Sequence, residues 1–451
     1  MTRQLSPAKS VDPLTVLPVE LAEMVLEYIT FRNTVNCMRT SRGWRDYIAK
    51  LPRLWLHLDL SGARKFVPKS FVAQAVRRSQ NRLSKATIHR FEHFDVLKNV
   101  AKCCRELANL EFISVPHAMS STLIDIVRCA PNLQRFVIHP EVSPDTVTRI
   151  MHSQPNLKHV AFNTVQSSRH PADFKGPFPA LESFSINMVD RSSGFSRTLC
   201  SLLQHTTNLR SLTITNASFL LGTLEPFASL PLTSLVLRRV DFFGESLPKF
   251  PNSLQTLVFE SAYSISLGDF GLGLLRSCLP VLTLLSLAGL DDLEASSLGD
   301  FLDQYCSGEP NDPVVELEDA APLQSLAIRG LLLRPADGLF KDTTGILAQS
   351  PRILTPALKS LDISTMPCND AEIEHLLGYD TGLTSIDLSS TQISGASIKR
   401  LVDKLPKLKI IRADNCIKIS GRDAIEYART KGVTVHCSMD EGRGSRKIRY
   451  G

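Results

Sequence analysis

The sequence predicts an α/β protein: a small N-terminal domain of three helices, then a curved solenoid with parallel strands on its concave face and helices outside. Three observations carry this. A short apolar motif recurs thirteen times, mostly at spacings of 22 to 28 residues. The stretches between copies place apolar residues at helical spacing. The first sixty residues fall outside this period and read as short helices instead. The expected boundaries are a flexible start over 1–13, a helical head over 14–60, repeats over 61–437 and a polar, basic tail over 438–451.

The motif is L-x-x-φ-x-φ, where φ is apolar. Its copies begin at Leu83, Leu110, Leu133, Leu157, Leu181, Leu209, Leu232, Leu254, Leu282, Leu323, Leu358, Leu383 and Leu408. The alternation makes a short strand with one buried face. Between copies, Leu123, Ile126 and Val127 fall at i, i+3 and i+4, and Ile398, Leu401 and Val402 do the same, which predicts amphipathic helices. Pro131, Pro155 and Pro406 stop the helix ahead of the next strand. One strand and one helix at a period near 25 is the pattern of leucine-rich repeats, which stack because no unit can bury its apolar face alone. Two gaps are longer, from Leu282 to Leu323 and from Leu323 to Leu358. The first holds residues 291–320, with ten acidic residues and no Lys or Arg, expected as a loop projecting from the array.

Composition narrows the function classes. The chain has 451 residues, 43% hydrophobic and 21% charged, which is ordinary globular composition. It has no apolar run of membrane-spanning length, and residues 1–16 lack the apolar core of a secretory signal. Ten cysteines are scattered without a CxxC pair or zinc-finger spacing, so they are expected as buried thiols in a reducing compartment, with no metal and no cofactor. The net charge of +6 is uneven: residues 1–110 hold 19 Lys/Arg against 9 Asp/Glu. An acidic partner suits such a surface; direct nucleic-acid binding, which predicts steep salt dependence, is not expected.

In the head, Pro18 fixes φ at a helix start. Leu21, Met24, Val25, Tyr28 and Ile29 then follow i, i+3, i+4, i+7 and i+8, a strong apolar stripe. Leu17, Val19, Ala22 and Leu26 add apolar surface outside it. A second short helix is expected through TVNCMRTS (34–41), and Ser41 caps a third that carries Trp44, Tyr47, Ile48 and Leu51. A head this small cannot hide so much apolar surface by itself, which implies a partner.

Residues 17–60 resemble an F-box. The family pattern opens L-P-x-E-L, continues with spaced aliphatics and a Cys/Val-rich second helix, and closes on Ser-Arg/Lys-x-Trp-Arg and Leu-Trp. The chain supplies Leu17, Pro18, Glu20, Leu21, Val25, Leu26 and Ile29, then Val35, Cys37, Met38, Ser41, Arg42, Trp44, Arg45, Leu54 and Trp55. Gly43 inside the third helix departs from good helix formers. An F-box followed by leucine-rich repeats is similar to the substrate receptors of SCF ubiquitin ligases. The resemblance implies that the F-box docks on the adaptor Skp1, which bridges to cullin and RING subunits, and that the repeats hold the protein to be ubiquitylated. It places Leu17, Pro18, Leu21, Val25, Ile29, Val35, Met38 and Trp44 on the Skp1 side. The run RLSKATIHRFEHFDVLKNVAKC (82–103) is similar to fungal TPR–F-box–LRR proteins, which are nuclear and act on the replisome; the sixteen residues before Leu17 leave no room for TPR repeats. That likeness implies a nuclear or cytoplasmic protein with a replisome helicase subunit as substrate. A non-ligase scaffold stabilised by Skp1 is the rival reading.

Catalytic motifs are few. His89-Arg-Phe-Glu-His93 matches the H-x-x-E-H zinc-hydrolase string, but that chemistry needs both histidines on one helix face, and His89 ends a predicted strand. No GxxxxGK[ST] or GxSxG string is present. A non-enzymatic binding protein is therefore expected. With the leading Leu as position 1, positions 3, 5 and 7 face the groove. Candidate substrate contacts on this count are Phe112, Arg135, His139, His159, Arg238, Glu260, Arg329, Asp387 and Arg412. Phe112 is expected as an exposed aromatic anchor, and Arg238, Arg329 and Arg412 as isolated charges that orient a ligand.

Overall fold

The structure is a computed structural model that describes residues 12–114, 120–166, 174–189, 195–220, 227–243, 250–266, 281–291, 293–294, 298, 302, 323–330, 333–334, 347 and 354–438. The chain divides into two compact units, residues 1–166 with 174–186, and residues 167–173 with 187–451. Most of the acidic stretch 291–320, and the tail beyond Ser438, lie outside the described residues.

The first unit opens with helices α1 (Pro13–Val16), α2 (Val19–Glu27), α3 (Phe31–Cys37) and α4 (Arg42–Ala49). Pro18 sits at the N-cap of α2, as expected. Thr30 caps α3 by accepting from the Asn33 amide, so this helix starts three residues before its expected position. Ser41 caps α4 by accepting from the Trp44 amide at 3.1 Å, satisfying one of the donors a helix start leaves open. Repeats follow as strands β1 (His57–Asp59), β2 (Lys85–His89), β3 (Asn109–Ser114), β4 (Arg135–Ile138), β5 (His159–Val165) and β6 (Ser183–Met188), with α5 (Lys69–Arg78), α6 (Phe94–Cys103), α7 (Ser120–Cys129) and α8 (Pro144–Ser153) between them. Successive strands from β1 to β5 pair in parallel.

The join between head and repeats is made by Trp55. It is 1% exposed and its Nε1 donates to the Ile48 carbonyl at 3.1 Å. Phe31 meets its ring edge-on at 5.6 Å, and the Arg78 guanidinium lies 4.5 Å from the ring centroid. Because His57 pairs with Lys85, Trp55 occupies the leading position of a repeat that starts inside the head. Trp55, Leu58 and Leu60 are all buried, as positions 1, 4 and 6 require.

One register was misplaced by sequence spacing. Leu110 pairs with Phe136 and Phe112 with Ile138, so Leu110 is position 4 and the leading residue is Leu107, 1% exposed. Phe112 is therefore an inward residue. It is 0% exposed and begins a run of rings, with Phe112–Phe136, Phe136–Phe162 and Phe162–Phe184 centroids 6.1 to 6.3 Å apart. Its expected role as an exposed anchor is overturned.

The second unit places β7 (Ser211–Thr215), β9 (Ser234–Arg238), β11 (Thr256–Ser266), β12 (Leu284–Asp291), β14 (Ser325–Arg329), β16 (Ser360–Asp362), β17 (Ser385–Asp387), β18 (Ile410–Arg412) and β19 (Thr434–His436) in one open parallel order. The short pairs β8 (Ser218–Leu220) with β10 (Asp241–Phe243) and β13 (Leu293–Glu294) with β15 (Leu333–Arg334) lie outside it. Helices α9 (Phe195–Gln204), α10 (Asp370–Leu376), α11 (Gly395–Lys404) and α12 (Asp423–Thr430) separate strands. In α11, Ile398, Leu401 and Val402 are buried as their spacing predicts.

A backbone feature marks position 8 of many repeats. Arg90, Asn216, Arg239, Gly289, Gly330, Thr365, Ser390 and Asn415 all have φ between 50° and 64°. Each lies seven residues after its leading Leu and turns the chain off the strand in the left-handed region. Two are glycine and two are Asn, which adopt it readily, but at Arg90, Arg239, Thr365 and Ser390 the fold imposes it on residues that ordinarily avoid it. No helix among the described residues is long and apolar enough to cross a membrane.

Candidate functional site

The head leaves one face uncovered. Helix α2 turns Ala22 and Leu26 inward, where both are buried. Its remaining apolar residues point outward: Leu21 is 47% exposed, Met24 53%, Val25 56% and Tyr28 89%. Leu17 and Val19 are exposed beside them, as is Pro18. Water-exposed large side chains normally occur singly; here they share one helix and its lead-in, which marks an interaction surface.

The residues expected on the Skp1 side divide into three groups. Leu17, Pro18, Leu21 and Val25 form the exposed face. Ile29, Val35 and Trp44 are half-buried, and the Trp44 indole donates to the Asp12 carboxylate at 3.1 Å. Met38 is a correction: it is 7% exposed and packs into the first unit, with its sulfur 3.9 Å from an Arg78 guanidinium nitrogen. Met24 and Tyr28, absent from the expected set, belong to the surface; their place in the i, i+3, i+7 stripe is the signal that marks them.

The second surface is the sheet face away from the helices. In the first unit, position 3 reads His57, Lys85, Asn109, Arg135 and His159 on five successive strands in register. Arg135 is exposed, and His159 is half-buried. At position 7, His139 Nε2 lies 3.1 Å from Glu111 Oε1, and its Nδ1 is 2.8 Å from the Asn163 amide nitrogen. Burial, then the neighbouring Arg90 charge, push the His89 imidazole below its ordinary pKa and favour its neutral form. Near the head, Arg53, His57, Lys85, Glu27 and Asp59 line a recess of about 270 Å³.

In the second unit, the expected isolated charges are paired. Glu260 lies 3.5 Å from the Arg238 guanidinium and also bonds Arg329. Arg329 reaches Glu260 over Ala288, the small residue in register between them, and its other side lies 3.6 Å from Asp362. Arg412 stands 3.9 Å from Asp387. The isolation assigned to Arg238, Arg329 and Arg412 is therefore corrected: each guanidinium is tied down by a carboxylate on another strand. Position 3 here carries hydroxyls at Ser211, Ser234, Thr256, Ser325, Ser360 and Ser385.

The H-x-x-E-H string does not form a metal site of the helical kind. His89 closes β2, Arg90 turns left-handed, and His93 only precedes α6. Among the described residues no cluster of three His, Cys, Asp or Glu side chains is placed to hold a metal ion.

Comparison with known proteins agrees with both halves. Residues 14–61 match the family model described as F-box-like. No curated protein matches the chain. Among solved structures, a chain of the Rad7 and Elc1 complex in yeast aligns over 96% of this chain and 100% of its own, at 16% identity and a TM-score of 0.51. A chain of the TLR13–ssRNA13 complex aligns over 79% of this chain and 46% of its own, at 15% identity and a TM-score of 0.37. A chain of the mouse RP105/MD-1 complex aligns over 73% and 58%, at 13% identity and 0.40. Residues 14–61 thus carry an F-box-like domain, and behind them the chain folds as repeats of one strand and one helix, the fold shared with the chain of the Rad7 and Elc1 complex.

Proposed function

We propose that this chain is a non-catalytic substrate adaptor of an SCF-type ubiquitin ligase. The exposed apolar face of α2 inside an F-box-like domain carries the reading. In it, Leu21, Met24, Val25 and Tyr28 dock on Skp1, and cullin and RING subunits follow through Skp1. The yeast structure that shares the fold is itself a complex, of Rad7 and Elc1, which supports a fold built to work with a partner. The sheet face presents the protein to be ubiquitylated. Catalysis lies in the partners; the chain contributes proximity and orientation, which raise the effective concentration of the substrate lysine.

The finer assignment follows the resemblance of residues 82–103: a nuclear or cytoplasmic protein whose substrate is a replisome helicase subunit. Purification of the tagged chain from cells tests the coarser and finer readings together. Skp1, cullin and a helicase subunit in the eluate support all of it. Skp1 and cullin without the helicase subunit leave the ligase adaptor and remove the replisome assignment. Skp1 without cullin points to a scaffold that uses Skp1 for stability, and overturns the ligase reading.

A further inference from the structure

We infer that the sheet face of the first unit is a docking strip for an extended acidic segment of a protein partner, read mainly by Lys85 and Arg135. This names a substrate class for the adaptor proposed above and rests on that reading, but its test does not.

The face rows of the two units differ. In the second unit the face arginines are neutralised by carboxylates across strands, and position 3 is mostly Ser or Thr. In the first unit position 3 carries His57, Lys85, Asn109, Arg135 and His159 in continuous register. Lys85 and Arg135 are exposed, and among the described residues neither forms an ion pair. The carboxylates on this face have contacts of their own. Glu111 takes His139, and Asp59 accepts the Ser61 amide at 2.9 Å. Glu27 lines the recess near the head together with His57, Asp59 and Lys85. His89 is held toward neutrality. Neither Lys85 nor Arg135 is paired to any of these carboxylates among the described residues, so both keep donors free for an anionic ligand.

Its geometry suits a peptide. Neighbouring strands lie about 4.8 Å apart, so the row from His57 to His159 spans about 19 Å. An extended peptide running across the strands returns a side chain to the same face about every 6.8 Å, which places roughly three carboxylates over the row. Single-stranded nucleic acid is the weaker fit. It is held by aromatic platforms as well as cations, whereas Phe112, Phe136 and Phe162 turn into the core and none faces the strip. Flanking position 5 carries Asp59, Thr87 and Glu111 on the first three strands and Val137 and Ala161 on the next two, where apolar residues let a peptide backbone approach beside Arg135 and His159.

The test is fluorescence anisotropy on the full chain at 50 mM salt. The probes are a twelve-residue Asp/Glu/Ser peptide, its Asn/Gln/Ser counterpart, a phosphoserine version and a twelve-nucleotide DNA strand. Lys85→Glu with Arg135→Glu reverses the strip, and Arg238→Glu with Arg412→Glu serves as the control; all four side chains lie on the surface, and unchanged circular dichroism certifies both folds. The expected result is binding of the acidic peptide over the neutral one, weakened at least about tenfold by the first pair and unaffected by the second, because each reversal replaces attraction by repulsion at close range. Tighter binding of the phosphoserine probe identifies a phosphorylated source of the same anionic chemistry. Equal binding of acidic and neutral peptides, equal loss in both variants, or tighter binding of DNA than of either anionic peptide would overturn the inference. Each outcome is read without Skp1, so failure here is distinct from failure of the ligase reading.

Discussion

Replacing Trp55 by Ala tests whether the head and the repeats are one folded unit. The indole is 1% exposed, and truncating a buried Trp to Ala costs about 3–5 kcal/mol in transfer and cavity terms. Two further losses follow from its contacts. The Nε1 bond to the Ile48 carbonyl disappears, but that carbonyl also accepts from the Leu51 amide at 3.2 Å, so the penalty is only about 1 kcal/mol rather than that of an orphaned acceptor. The half-buried Arg78 guanidinium loses the ring beneath it, worth about another 1 kcal/mol. The total is roughly 5–7 kcal/mol before relaxation around the cavity offsets part of it. Trp55→Phe keeps most of the aromatic packing and is expected to lose about 1–2 kcal/mol. Urea unfolding followed by far-ultraviolet circular dichroism measures both. A loss below about 1 kcal/mol for Trp55→Ala would refute the placement of Trp55 as the shared core residue of head and first repeat.

Two other substitutions probe local chemistry. Gly43 lies inside α4 and a Cβ there would meet only Ser41 Oγ, at 3.7 Å, so Gly43→Ala is expected to raise stability by about 0.5–1 kcal/mol, read as a higher urea midpoint. Burial, then the charges of Glu372 and its neighbours, push the Cys368 thiol up to about 12. The folded thiol binds its proton more tightly than the unfolded one, whose pKa is near 9. Its contribution to stability is therefore full below pH 9 and is lost as pH rises toward 12. Cys368→Ala is expected to flatten the alkaline limb of the stability–pH curve, and an unchanged limb would contradict this.

Much of this architecture was legible because period and alternation are physical requirements of stacking. The α11 stripe of Ile398, Leu401 and Val402 and the cap at Ser41 are local features, and both appear as expected. What failed were choices between equally good local patterns. Leu107-x-x-Leu110-x-Phe112 and Leu110-x-x-Ile113-x-Val115 both satisfy the motif; only pairing with β4 decides between them, and it turns Phe112 inward. Trp55-x-x-Leu58-x-Leu60 satisfies the motif too, with Trp in place of Leu, so the first strand was hidden inside the head. The network linking Arg238, Glu260, Arg329 and Asp362 joins strands across the two longest gaps, and Glu260 and Arg329 are 69 residues apart. No spacing rule reaches that far. On α2 the apolar stripe was plain, but which part of it the head covers became clear only from packing, with Ala22 and Leu26 inward and the rest left out.

The most direct measurement of the central claim is a titration of purified Skp1 against the wild-type chain and against Leu21→Asp with Val25→Asp. Both side chains are about half exposed, so the variant keeps its fold, while two carboxylates forced into an apolar contact cost at least about 3 kcal/mol, more than a hundredfold in affinity. Tight binding by the wild type and its loss in the variant are expected, with the melting transition unchanged. Equal affinity of Skp1 for both proteins would show that the exposed face of α2 is not the docking surface.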